Sequence, residues 1–140
     1  MTAEGPGSNP AAALAGAAAL LDDGPGPARA RTVVRLLRFA LEGALDSYWE
    51  AVRPGEVPVT VPRGRRLRLL AATLGRTFAH DTYTTWCRLS DTARPAAYEP
   101  PPPVSELREL QRRTAEAVAG LLIGTVTSAP ATCASCTSCT

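Results

Sequence analysis

The chain contains 140 residues, 15 of them basic and 13 acidic, and its formal net charge at pH 7 is +2. This length fits one domain with flanking segments, and a charge so close to balance gives no reason to expect a nucleic-acid partner. All 15 basic residues are arginine, which together with 13 prolines and 11 glycines indicates a bacterial genome of high GC content.

Targeting signals are weak. The apolar run Ala11–Leu21 has the length of a signal-peptide core, but no basic segment precedes it and Glu4 is the only early charge. No stretch approaches the roughly 18 apolar residues of a membrane-spanning helix. We therefore expect a cytoplasmic protein without a membrane span, whose processed tail could be exported. Because cytosolic thiols stay reduced, its four cysteines do not indicate a disulfide framework.

Helical patterns follow one another along the chain. Residues 1–28 are rich in Ala, Gly and Pro, and we expect them to be disordered or weakly helical. The strongest helical signal is Arg29–Val52, where apolar residues recur every three or four positions on one face. Residues 65–89 have similar spacing, with a break expected at Gly75 or within the polar residues 80–82.

The second half contains a proline-rich linker and a last helix. Four consecutive prolines within residues 95–104 favour an extended spacer. The last helix is predicted to begin near Ser105, a plausible N-cap, and to end near Gly124. The sequence thus predicts a mainly α fold, a small bundle of three to four helices over residues 29–124, with disordered segments at both ends.

The first long helix has an unusual distribution of charge. Its basic residues come first and its acidic residues last, which opposes the helix dipole. One interpretation is a solvated face. The other is a dipolar surface that docks a complementary partner. The residues concerned are Arg31, Arg35, Arg38, Glu42, Asp46 and Glu50.

The segment that begins at Arg63 resembles a helix-turn-helix domain. A basic cluster precedes the helix, and Gly75 lies four residues after Ala71. Its register departs from that family at Asp81 and Thr84, two positions where apolar residues are usual. The resemblance implies DNA binding, which we place third among the functions considered.

We predict no catalytic residue, no cofactor and no metal site. His80 and Cys87 would lie two turns apart on one helix, or about 10 Å, which is too far for a thiol and its base. Three tail thiolates could hold a soft metal ion, but a structural zinc site normally has four ligands on a folded knuckle. A metal or redox tail is kept as an alternative.

The C-terminal tail carries the clearest chemical pattern. Eleven of the sixteen residues 125–140 are Ser, Thr or Cys, and no charged side chain follows Glu116. Ser and Thr can be dehydrated, after which a thiolate can add to the alkene. A Cys can instead cyclise onto the preceding carbonyl to give an azole. The candidate nucleophiles are Cys133, Cys136 and Cys139. The candidates for dehydration are Thr132, Ser135, Thr137 and Ser138.

This tail resembles the core region of ribosomally synthesised, post-translationally modified peptide precursors of the lanthipeptide or thiazole-forming type. The resemblance implies that residues 1–124 act as a leader that recruits modifying enzymes, and that Gly124 lies near a cleavage point. The partners would then be modifying enzymes, or another protein, bound through the helical domain. The alternatives are a helical interaction or regulatory module with an incidental tail, and a tail without any role.

Overall fold

The computed structural model describes residues 9–24, 26–55, 61–94 and 102–128. Within these ranges the chain forms helices and no strand, so the predicted mainly α fold is confirmed. The five helices are α1 (Pro10–Asp22), α2 (Pro27–Val52), α3 (Arg63–Leu74), α4 (Arg76–Ala93) and α5 (Val104–Ser128). Their number exceeds the predicted three to four. Of the end segments predicted to be disordered or weakly helical, 1–28 and 125–140, residues 1–8 and 129–140 lie outside the described residues, as does most of the proline-rich linker.

The additional helix is α1. The Asn9 side-chain oxygen caps it by accepting hydrogen bonds from the amides of Ala11 and Ala12 at 3.0 and 3.3 Å. Alanine has the highest helix propensity, and its small side chain lets α1 lie close against α2. Ala13 and Ala17 are therefore fully buried despite their weak apolar pattern. The packed unit begins at residue 10 rather than at residue 29.

The helices form a bundle around a central parallel pair, α2 and α5. Ala30 and Val104, near the beginnings of these helices, line one groove, and Tyr48 packs against Gly124 near their ends. Helices α1 and α4 lie on either side of the pair and run in the opposite direction. The short helix α3 packs on α4 and contacts α2.

The core lies between α2 and α5. The predicted apolar stripe of α2 is buried there with leucines from α3, α4 and α5, and each fully buried Leu contributes roughly 1.5–3 kcal/mol. The fully buried leucines are Leu37, Leu41, Leu45, Leu67, Leu70, Leu89, Leu110 and Leu121.

The ends of the last two helices differ in part from the prediction. The break in the second half occurs at Gly75, whose φ of +95° favours glycine, and α4 runs unbroken through residues 80–82. Ser105 lies inside the first turn of α5 rather than at its cap. Helix α5 also continues past Gly124 to Ser128. Gly124 is therefore not a helix stop, and its lack of a side chain instead allows the backbone to pack closely against Tyr48.

Candidate functional site

The six charged residues predicted as a docking surface on α2 do not have a common environment. Three are exposed: Arg31, Arg35 and Glu50. Three are partly buried where α2 meets α3 and α4: Arg38, Glu42 and Asp46. The structure therefore separates a solvent-facing set from a set that has partners within the chain.

Glu42 lies at the centre of the partly buried set. Its side chain is only 14% exposed, and its Oε2 atom accepts hydrogen bonds from Arg38 Nε at 2.9 Å and from Trp86 Nε1 at 3.1 Å. A carboxylate removed from water needs such donors, because an unpaired buried charge is costly. Glu42 thus connects the middle of α2 to the middle of α4.

Asp46, one turn further along α2, connects this helix to α3. Its two carboxylate oxygens accept hydrogen bonds from Arg66 Nη1 at 2.6 Å and from Arg63 Nη2 at 3.3 Å. The side chain of Arg66 is only 4% exposed, and its Nε donates to the Val61 carbonyl at 3.2 Å. The repulsion expected between Glu42 and Asp46 is therefore offset by arginines from the next helix.

We call this cluster the polar junction. It consists of Arg38, Glu42, Asp46, Arg63, Arg66 and Trp86. The contribution of α3 was missed at the sequence level. A signal existed, because two acids four residues apart on α2 match two arginines three residues apart on α3, and each pair lies on one side of its helix. The chemistry available here is charge pairing that orients α3.

The predicted modification residues all lie outside the described part of the chain. They are Thr132, Cys133, Ser135, Cys136, Thr137, Ser138 and Cys139. The structure describes the helix from which they follow. Leu121 is fully buried, and a Cβ atom on Gly124 would lie 2.8 Å from Tyr48 Cε1. Helix α5 is therefore packed against the core as far as Gly124. Thr125 adds a hydrogen bond to the Leu121 carbonyl at 2.8 Å.

Two observations concern catalysis and metal binding. Cys87 is half-buried and His80 is exposed, both on α4. Among the residues that the structure describes, no group of three His, Cys, Asp or Glu side chains is placed to hold a metal ion.

In the same described ranges, no helix has both the length and the hydropathy needed to cross a membrane.

The helices of the helix-turn-helix interpretation are α3 and α4. Gly75 alone separates them, whereas the turn of that motif usually contains about three or four residues. Asp81 is exposed and Thr84 is half-buried, at the two positions where the pattern departs. The pair is therefore better described as a tight antiparallel helical hairpin that turns at one glycine, with Gly64 beside Trp86 and Arg68 beside Tyr83.

Two grooves accompany these features. An apolar groove of about 410 Å³ lies where the α1–α2 turn meets the beginning of α5, with Leu20, Val33 and Leu107 in its wall. A second groove of about 280 Å³ between α4 and α5 has a mixed lining that includes Asp81 and Arg113. Neither groove contains any of the predicted site residues.

Comparison with known proteins gave no match, whether with protein-family models, with curated proteins or with solved structures. Any function must therefore be argued from the residues themselves. The described features that bear on it are the junction that orients α3 and the helix that leads into the tail.

Proposed function

We propose that this protein is a precursor whose helical bundle carries a C-terminal segment rich in Ser, Thr and Cys for modification by partner enzymes. The observation that carries the proposal is the alternation of hydroxyl and thiol residues after a helix whose last buried residues are locked to the core. The chain itself supplies substrate groups and a docking surface rather than catalysis, and we place the modification in the cytoplasm.

The geometry of α5 supports a carrier role. Gly124 and Leu121 fix the helix against α2, and α5 ends four residues later at Ser128. An extended chain spans at most about 3.6 Å per residue, so Cys133 can lie up to about 18 Å beyond the helix and Cys139 up to about 40 Å. These reaches let the thiols enter an active site while the bundle stays bound.

The proposed chemistry balances in two steps. A modifying enzyme activates the hydroxyl of Ser135 or Thr137 as an ester, and loss of that group with the α-proton leaves a dehydroamino acid, one water lighter overall. The thiolate of Cys133, Cys136 or Cys139 then adds to the β-carbon, and the α-carbon takes up the proton. Alternatively, a thiol adds to the preceding carbonyl and loses one water to give a thiazoline. Oxidation to a thiazole would need a two-electron acceptor bound to the enzyme.

Intact-mass analysis of the protein from its native producer tests this proposal. Loss of whole water masses, confined to a fragment that contains residues 129–140, is expected. Alkylation of the unfolded protein then counts free thiols, and Cys87 provides the internal control because it lies in α4, away from the tail. Thioether or thiazoline formation should block tail thiols and leave Cys87 reactive.

An unmodified tail in protein from the native producer, with all four thiols of the chain reactive, would refute the precursor proposal. Retention of zinc or copper by the same preparation, lost when the three tail cysteines are changed to serine, would favour the metal-binding alternative instead.

A second candidate is a helical protein-interaction module with an incidental tail. Exposed apolar side chains favour it, since Phe39 is 54% and Ile123 is 65% exposed. Deletion of residues 129–140 separates the two candidates. An interaction module should keep both its partner and its cellular role after the deletion. A precursor should still bind its modifying enzymes but should lose the modified product that the full-length chain yields.

A further inference from the structure

The composition of α3 differs from that of the other four helices, since it contains four arginines and no acidic residue. The helical period divides these arginines between two faces. Arg63 and Arg66 face α2, where they pair with Asp46. Arg65 and Arg68 lie on the opposite, solvent-facing side. The inner pair thus has carboxylate partners within the chain, whereas the outer pair has none among the residues that the structure describes.

The solvent-facing side, which we call the α3 outer face, combines positive charge with an exposed apolar side chain. Its residues are Arg65, Arg68, Leu69 and Ala72. Leu69 is 43% exposed and lies one helical turn after Arg65, so its apolar side chain and that guanidinium are neighbours on this face. Arg65 has no ion pair among the described residues. Arg68 lies 5.4 Å from the centre of the Tyr83 ring, with no acidic partner in the same ranges.

The support beneath this face is firm. Arg66 and Asp46 hold α3 to α2, and Leu67 and Leu70 are fully buried under it. Tyr83 of α4 accepts a hydrogen bond from Arg68 at 3.5 Å and raises the pKa of its guanidinium. A surface held this way loses little conformational freedom when a partner binds.

We infer that the α3 outer face docks an acidic amphipathic helix of another protein. Leu69 supplies an apolar anchor, and Arg65 and Arg68 pair with carboxylates on either side of a leucine stripe. A nucleic acid suits the face less well, because phosphates give Leu69 no apolar contact and the face offers only two arginines, Arg65 and Arg68. This inference does not depend on modification of the tail.

The test uses the full chain, labelled with ¹⁵N, and a synthetic helical peptide of Glu, Ala and Leu with its leucines on one stripe. The peptide should shift the amide signals of Arg65, Arg68 and Leu69. The double variant R65E/R68E should bind it about tenfold more weakly, since two attractive contacts become repulsive. The matched control R94E/R108E makes the same charge change at two exposed arginines, at the end of α4 and in α5, outside both candidate docking surfaces, and should bind as the unaltered protein does.

Leu69→Ser removes the apolar contact without altering charge, and it should weaken binding several-fold. A scrambled peptide of the same composition, without the stripe, should bind about as weakly as the intact peptide binds the L69S variant. Spectra of the free variants check that each one folds.

Three results would overturn the inference. One is a loss of affinity in R94E/R108E equal to that in R65E/R68E, which would indicate a non-specific charge effect. Another is tighter binding of duplex DNA than of the peptide, lost in R65E/R68E, which would assign the face to nucleic acid. The last is an absence of shifts in α3 at low ionic strength.

Discussion

Trp86 Nε1 donates a hydrogen bond to Glu42 Oε2 at 3.1 Å, and this contact joins α4 to α2 between residues 44 positions apart in the chain. The acceptor is charged and largely shielded from water. The replacement Trp86→Phe removes the donor and some packing. We expect it to lower the free energy of unfolding by about 1.5–3 kcal/mol, the range for hydrogen bonds to charged groups.

Urea denaturation of both proteins measures this difference. Tyr83→Phe is a suitable control, because it removes a hydroxyl from a nearby ring of α4 while leaving Glu42 untouched. A Trp86→Phe protein as stable as the Tyr83→Phe protein would show that the Glu42 contact is energetically neutral.

Asp46 neutralises an arginine that water scarcely reaches. In Asp46→Ala the guanidinium of Arg66, with a side chain 4% exposed, would lose its carboxylate partner. Because Asp46 itself is 40% exposed, solvent screens part of the loss, and we expect destabilisation of about 2 kcal/mol.

A double-mutant cycle with Arg66→Met isolates the pair. Asp46→Ala should be nearly harmless in the Arg66→Met background, since no buried charge is then stranded. Additive effects of the two changes would contradict a direct interaction between these side chains.

Gly124 permits the close approach of α5 to α2. An added Cβ atom would lie 2.8 Å from Tyr48 Cε1. Gly124→Ala gains about 0.5–1 kcal/mol of helix propensity but should lose about 1–3 kcal/mol by overpacking, a net destabilisation.

Gly43→Ala is the matched control, because its Cβ would meet Pro10 at an ordinary 3.6 Å within α2. That variant should be neutral or slightly stabilised in a thermal melt. If both glycine variants melted at the same temperature, the packing role of Gly124 would be wrong.

The carboxyl group of Glu109 on α5 has a lowered pKa. Hydrogen bonds from Arg112, then from Arg113, lower its pKa from 4.5 to about 2. A depressed folded-state pKa means that the stabilisation is complete above 4.5 and is lost as the pH falls towards 2.

Carbon-detected NMR titration of the Glu109 carboxyl follows this directly. Arg112→Ala should raise its midpoint more than Arg113→Ala does, in the order of the two contributions. A midpoint near 4.5 in the unaltered protein would refute the interaction.

The sequence was sufficient to predict the helices that have a clear apolar face and a clear polar face. Leu37, Leu41 and Leu45 recur at helical spacing, and α2 and its buried stripe follow from that spacing alone. The sequence allowed a weak helix at α1 but did not predict its packing into the bundle. Alanine gives little contrast between faces, so the burial of α1 depends on the neighbouring helix rather than on its own pattern.

The charges of α2 show why the site was harder to predict. Glu42 and Asp46 oppose the helix dipole and repel one another, which is unfavourable within a single helix. Their arrangement becomes favourable once Arg66 and Trp86 approach from α3 and α4, and that approach is tertiary information. Local rules identified the anomaly without its cause.

The close contact between Gly124 and Tyr48 lies four residues before the end of α5. Residues 125–128 form the last turn of the helix beyond that contact. If this last turn unwound, each of its four residues would rise about 3.4 Å instead of 1.5 Å, and the chain would extend by about 8 Å. The distance that the tail can reach from the bundle would therefore depend on how much of this last turn stays helical.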